Sequence, residues 1–153
     1  MRSSAGILIY REAPEIQVLL VHPGGPFWKN KDAGAWTIPK GEFDTDEEPL
    51  TAAVRELKEE AGLTVDGEFA ELGTTRMKSG KTIHAWAISA DPSLAKFESN
   101  TFELEWPPKS GKMIQVPEVD KIEWYSLPNA RLQLNPAQVI FIDRLEEMLS
   151  GTA

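Results

Sequence analysis

The amino-acid sequence predicts an α/β fold, with a mixed β-sheet packed between helices. Three observations predict it. Short runs of β-branched and aliphatic residues open the chain, one amphipathic helix occupies its middle, and further strand-like runs precede a second amphipathic helix near its end.

Ala5–Tyr10 and Ile16–His22 are the opening runs, separated by Arg11–Glu15 with Pro14 inside it, as a hairpin or as adjacent strands. His22–Gly34 holds Pro23, Gly24, Gly25, Pro26 and Gly34 and reads as a loop. Ala35–Ile38 reads as a very short strand running into Pro39-Lys40-Gly41. Glu47–Ala61 reads as a helix, because Leu50, Ala53, Val54, Leu57 and Ala61 recur at helical spacing. Thr45 or Asp46 is its expected N-cap, acids crowd its first turn, Pro49 is tolerated there, and Gly62 supplies the C-cap. Glu68–Met77 and Thr82–Ala90 read as strands around the turn Lys78-Ser79-Gly80-Lys81. Asp91–Pro117 reads as irregular, with one strand near Thr101–Glu105, and its Pro- and Gly-containing part Thr101–Lys112 suits a lid or specificity loop. Lys121–Tyr125 is a strand and Ser126–Asn129 a turn. Pro136–Leu149 is the closing helix, with Val139, Ile140, Leu145, Met148 and Leu149 toward the core.

A chain of 153 residues suits one domain spanning residues 1–153. The absence of cysteine excludes a disulfide scaffold, a thiolate zinc site and a cysteine nucleophile, and fits a reducing cytoplasm. Met1-Arg2-Ser3-Ser4 leads into an apolar run that soon meets Arg11 and Glu12, unlike a signal peptide, and no run approaches the ~20 apolar residues of a membrane span. A cytoplasmic protein with no membrane partner is expected, as a monomer or homodimer. The net charge of −8 is local: Gly41–Glu60 carries eight acids against Arg55 and Lys58, leaving only −2 elsewhere. Such a patch repels bare phosphates, so duplex nucleic acid is not an expected partner and a divalent cation is.

Helical geometry sharpens that expectation. With Val54 at zero, Leu57, Leu50 and Ala61 fall near 300–340°, while Glu56, Glu59 and Glu60 fall near roughly 200°, 140° and 240°. The three carboxylates therefore share one flank beside the apolar stripe, with small Ala52 leaving space above it. Like charges at this spacing cost a few tenths of a kcal/mol per pair, and a hard divalent cation would offset that cost. A solvated acidic face is the alternative reading, and Arg55 could be an ordinary pair with Glu59.

The full string decides between them. Gly41, Glu47, Arg55-Glu56-Leu57-Lys58-Glu59-Glu60-Ala61-Gly62-Leu63 resembles the Nudix box at all nine of its defined positions. The resemblance implies an α/β/α sandwich. It also implies a Mg²⁺-dependent pyrophosphohydrolase, with Mn²⁺ as a possible substitute, that cleaves a nucleoside diphosphate linked to another moiety. It further implies metal ligation by the Gly41 carbonyl, Glu56, Glu59 and Glu60, with Glu47 as a support. Glu56, Glu59, Arg55 and Glu118 form the implied catalytic set. A water would be deprotonated by Glu56 or by the late loop residue Glu118 and attack phosphorus in line; Glu103 and Glu105 are secondary candidates for the base.

The run Trp36–Gly41 also resembles Nudix enzymes of dinucleoside polyphosphates, which implies a small nucleotide substrate such as a nucleoside triphosphate or diadenosine tetraphosphate. Trp36, Lys40, Arg76 and Lys81 are its candidate contacts, and Trp28 and Trp106 are further stacking candidates. His22 and His84 read as strand residues with ordinary hydrogen bonds. Two other classes compete: a non-catalytic nucleotide-binding or regulatory module on the same fold, and an interaction domain whose acidic helix meets a basic partner.

Overall fold

A computed structural model describes residues 3–12, 14–44 and 46–151. The elements run β1 (Ser3–Arg11), β2 (Gln17–Pro23), β3 (Lys40–Phe43), α1 (Pro49–Ala61), β4 (Ala70–Arg76), β5 (Thr82–Ser89), β6 (Thr101–Glu105), β7 (Met113–Pro117), β8 (Val119–Ser126), α2 (Leu127–Gln133) and α3 (Val139–Leu149). Short 3₁₀ turns occupy Leu94–Lys96 and Pro136–Gln138. Six strands form one sheet in the order β4-β5-β1-β2-β8, with β3 paired to β1, while β6 and β7 form a separate hairpin. The pair β1–β5 is parallel and the other pairs are antiparallel, so the sheet is mixed.

Side-chain alternation along the strands builds two cores. Ala5, Ile7, Ile9, Leu19, Trp86 and Ile88 pack with α1 on one face. Leu8, Val18, Leu20, Ile83, Ala85 and Ala87 pack with α2 and α3 on the other. The three-layer α/β/α sandwich is the expected one. Among the described residues no helix is long and apolar enough to cross a membrane.

The site is prepared by a split in the sheet. β1 pairs with β2 only at Tyr10 and Arg11, then with β3 at Ser3–Gly6. The segment before β3 fills the opening: Thr37 bridges Val21, and Ile7 N donates to Pro39 O at 3.1 Å. The strand expected at Ala35–Ile38 is therefore displaced to Lys40–Phe43. Trp36 and Thr37 form single bridges to different partners, and Pro39 has no N–H to continue a ladder.

Other boundaries also move. α1 begins at Pro49, with Glu48 as an N-cap that makes no side-chain bond, so neither Asp46 as cap nor acids in the first turn is found. Thr45, the other expected cap, lies outside the described residues. Proline at N1 needs no hydrogen-bond partner, which sets the start, and Gly62 closes the helix in the left-handed conformation. Ser126–Asn129 starts a helix and is not a free turn: the Ser126 hydroxyl accepts from Asn129 N at 3.4 Å and Pro128 sits in the first turn. In α3 the buried face is Phe141, Ile142 and Leu145, whereas Ile140, expected inside, is 39% exposed. The Asp91–Pro117 stretch holds a second strand, β7, that pairs with β6.

Candidate active site

α1 buries Ala52, Ala53, Leu57 and Ala61 and leaves Leu50 and Val54 partly covered. On the helical wheel, with Val54 at zero, that arc runs from roughly 160° at Ala52 to roughly 340° at Ala61 and takes in Glu56 and Glu60. The short alanines let the helix lie close to the sheet, and the two glutamates emerge among them. The expected flank beside the stripe is thus corrected, as is the open space above Ala52, which is fully buried. The Glu56 side chain is 13% exposed, while Glu59 stays outside at 45%.

β3 meets these glutamates from the sheet. A Cβ on Gly41 would lie 1.9 Å from Glu56 Oε2, so only glycine lets that carboxylate lie against the backbone. One residue earlier, Lys40 N donates to Glu60 Oε1 at 3.3 Å. Arg55 then ties the acids together. Its Nε and Nη2 donate to the two oxygens of Glu47 at 2.9 and 2.8 Å, and its Nη1 donates to Glu56 Oε1 at 2.8 Å and Glu59 Oε2 at 3.0 Å. The pairing expected with Glu59 and the support expected from Glu47 coexist in one guanidinium.

Glu118 arrives from the far end of the chain, in the bend between β7 and β8. Its N–H donates to Asn100 O at 2.8 Å and its carbonyl accepts from Gly24 N at 3.0 Å. Gly24 has to be small there, since a Cβ would stand 2.0 Å from Pro117 O.

The electrostatics register this crowding. Burial raises Glu60 to about 8, with Lys40 opposing and the charges of Glu118 and Glu56 adding to the rise. Burial also raises Glu56 against the pull of Arg55, and it raises Glu118 with further repulsion from Glu56 and Glu59. Lys40 is lowered by burial, and Glu47 is lowered by its hydrogen bonds from Arg55. Glu118, Glu56, Glu59 and Glu60 therefore share one electrostatic neighbourhood, with Lys40 beside Glu60 and Glu56.

The other candidates divide. Lys81 joins the site by pairing with Glu42 of β3 at 2.5 Å. Arg76 is exposed on the α1 face but stands three strands from β3, through Thr82 and Ser3. Trp36 is a correction: it is 2% exposed and lies in the core beneath α2 and α3, its ring edge-on to His22 and Tyr125. A base cannot stack on it. Trp28 meets Phe27 edge-on, and Trp106 is half-buried at the base of the hairpin turn. Glu105 receives Lys109 N and Gly111 N, and Glu103 receives Gln115 Nε2, so both brace the hairpin. His22 is buried between Asp120 Oδ1 at 2.7 Å and Lys31 O at 2.5 Å, and His84 bonds Glu71 while stacking on Trp86. Ser99 and Asn100, which hold the Glu118 loop, were not legible in a stretch without periodicity.

Among the described residues no three acidic or imidazole side chains already enclose a cation. The donor set still fits one. Glu56 lies against the Gly41 backbone and Glu60 against the Lys40 amide, both raised by burial despite Arg55 and Lys40, and Mg²⁺ takes one or two carboxylates and completes its shell with water and phosphate.

A three-layer sandwich whose central helix turns box glutamates toward a glycine strand defines a Nudix-type domain. The NUDIX domain family model matches residues 1–145, and the chain belongs to the Nudix family, whose members generally use divalent metal ions. It is 29% identical over 130 residues to an octanoyltransferase of Myxococcus xanthus, across 85% of this chain and 32% of that protein. It is 42% identical over 62 residues to the asymmetrical bis(5'-nucleosyl)-tetraphosphatase of Caenorhabditis elegans, across 40% of this chain and 41% of that one. Both matches span less than half of the relative's own length. Among solved structures, the C. elegans Ap4A hydrolase binary complex superposes with a TM-score of 0.69 at 23% identity, covering 97% of this chain and 98% of that one. The NUDIX domain of Shewanella oneidensis NrtR, complexed with ADP ribose, gives 0.66 at 18% identity, covering 96% and 87%. These two likenesses establish the fold.

Proposed function

We propose that the domain, taken as residues 1–153, is a Mg²⁺-dependent pyrophosphohydrolase that cleaves a nucleoside diphosphate linked to another moiety. The favoured substrates are a nucleoside triphosphate or a dinucleoside polyphosphate such as diadenosine tetraphosphate. One observation carries this reading: Glu56 and Glu60 of α1 lie against the Gly41 and Lys40 backbone, and Glu118, from a distant loop, is held close enough for their charges to repel. Family membership and the identity shared with the C. elegans tetraphosphatase support it.

In this reading Glu56, Glu60 and the Gly41 carbonyl hold Mg²⁺, or Mn²⁺ in its place, with Glu59 reaching in from the exposed side. When bound, the cation supplies Lewis-acid neutralisation of phosphoryl charge. Arg55 fixes the orientation of Glu56 and Glu59, and Glu47 fixes Arg55. Lys40 and Lys81 face the substrate phosphates. We assign Glu118 as the group that takes the proton from the attacking water. Glu56 is engaged by Arg55, whereas burial and its acidic neighbours raise the proton affinity of Glu118 toward the working pH. The same reading places the protein in the cytoplasm as a monomer or homodimer.

The test is a phosphate-release screen over nucleoside triphosphates, dinucleoside polyphosphates, nucleotide sugars and inositol pyrophosphates, with and without Mg²⁺. Glu56→Gln and Glu60→Gln should keep the circular-dichroism spectrum and lose roughly 10²-fold or more of kcat. Near-normal rates in Mg²⁺ for both variants exclude the assignment.

A further inference from the structure

We infer that Ser99 and Asn100 are positioning residues that hold Glu118 against the C-terminal turn of α1. The inference rests on the reading that Glu118 takes the proton from water. Glu118 has reasons to move away. Burial and the charges of Glu56 and Glu59 both oppose its carboxylate, and it sits in a bend at the foot of a hairpin whose Phe102, Met113 and Ile114 are exposed. A conformation opposed by like charges persists only if the backbone is held from elsewhere.

Residues 98–100 supply that hold from both directions. Toward the helix, Asn100 N donates to Glu59 O and Glu98 N donates to Ala61 O, each at 3.2 Å. Those carbonyls belong to the last turn of α1, where no further helical N–H follows to claim them. Toward the loop, Asn100 O accepts from Glu118 N at 2.8 Å, and Ser99 Oγ accepts from Val119 N at 2.9 Å. The Ser99 hydroxyl donates in turn to Asn100 O at 2.9 Å, so one oxygen receives both the Glu118 amide and the serine. Two successive amides, those of Glu118 and Val119, are thus fastened to a short strap whose other edge is bonded to Glu59, a residue of the box. Gly24 N closes the opposite side on Glu118 O.

Ser99 is the one member of this link that acts through its side chain, and it can be changed without touching the box. Val119 is 3% exposed, so removing the hydroxyl leaves its N–H without a ready replacement from water. The expected result is a carboxylate that remains present but sits out of register with the attacked phosphorus.

The experiment uses the full chain, with diadenosine tetraphosphate and ATP as probes in Mg²⁺. Ser99→Ala should lower kcat by roughly ten- to a hundredfold with KM within about twofold, and Ser99→Thr should restore most of it. Hydrogen exchange at the Val119 amide should quicken in Ser99→Ala and not in Ser99→Thr. In the double variant with Glu118→Gln, Ser99→Ala should cost nothing further, because the group it positions is gone. Multiplying losses would overturn the inference, since Ser99 would then act elsewhere. A wild-type kcat in Ser99→Ala alongside faster Val119 exchange would overturn it too. If Glu118→Gln keeps wild-type kcat, the role of Glu118 falls and carries this inference with it, and a wild-type chain inert toward both probes and across the wider phosphate-release screen sinks the parent reading. Should the alanine variant melt below assay temperature, Ser99→Cys, with a weaker hydrogen-bonding group of similar shape, carries the same comparison.

Discussion

At position 41 a single added carbon would collide with the Glu56 carboxylate, so Gly41→Ala acts on the site through geometry alone. The variant should melt within a few degrees of wild type and lose roughly 10–100-fold in Mg²⁺-dependent turnover, the usual cost of displacing a ligand's support. Unchanged turnover would mean that Glu56 does not need its place against the strand. Glu60 offers a test without substrate. In the folded, cation-free chain it stands at about 8 against an ordinary 4.5, so folding favours its protonated form. Its contribution to stability is complete below about 4.5 and is lost as pH rises through about 8. EDTA-treated protein should melt lower at pH 8.5 than at pH 5.5, and Glu60→Gln should flatten that slope. An identical slope in the variant would refute the burial account. The box residues were legible because their types and spacing are defined together. Trp36 misled because a tryptophan beside a glycine-rich loop reads the same whether its ring faces solvent or core.

At the scale of elements, sequence periodicity located α1 and the buried Ala53, Leu57 and Ala61 of its stripe, but not how far the buried arc extends. Ala52, set on the acidic flank, is buried too, because alanine is small enough to be covered beside a glutamate, while Leu50 and Val54 are only partly covered. Ser126-Leu127-Pro128-Asn129 was ambiguous for a different reason, since a serine cap and a first-turn proline also make a turn. β4 shows what local pattern cannot supply. As the last strand of the sheet it is closed by Arg144 of α3, whose Nη1 donates to Leu72 O and Thr74 O, both at 2.9 Å. Arg144→Ala should lower stability in urea by about 1 kcal/mol, because water can reach the freed carbonyls. It should also raise concentration-dependent aggregation by opening the strand edge. A variant equal to wild type in both measurements would show that the edge needs no such guard.

For the molecule as a whole, the mixed sheet between helices could be read from the order of segments. The split between β1 and β2 could not, because it depends on pairings between residues far apart in sequence. That split lets β3 enter beside β1 and brings Gly41 under α1, so fold and site are one construction. It also couples cation binding to global stability. Mg²⁺ should raise Tm more at pH 8 than at pH 5, where protonated carboxylates compete for the same oxygens. Equal increments at the two pH values would place the bound cation elsewhere.

Between Asn100 and Glu118 the chain leaves the body as the β6–β7 hairpin and returns to within 2.8 Å of its departure, amide to carbonyl. Closing that loop is settled at its base, so its length matters little: doubling it costs only about 0.6 kcal/mol in closure entropy. The hairpin is therefore the segment that can be lengthened, exchanged or fused to a reporter while the carboxylates at its root keep their places.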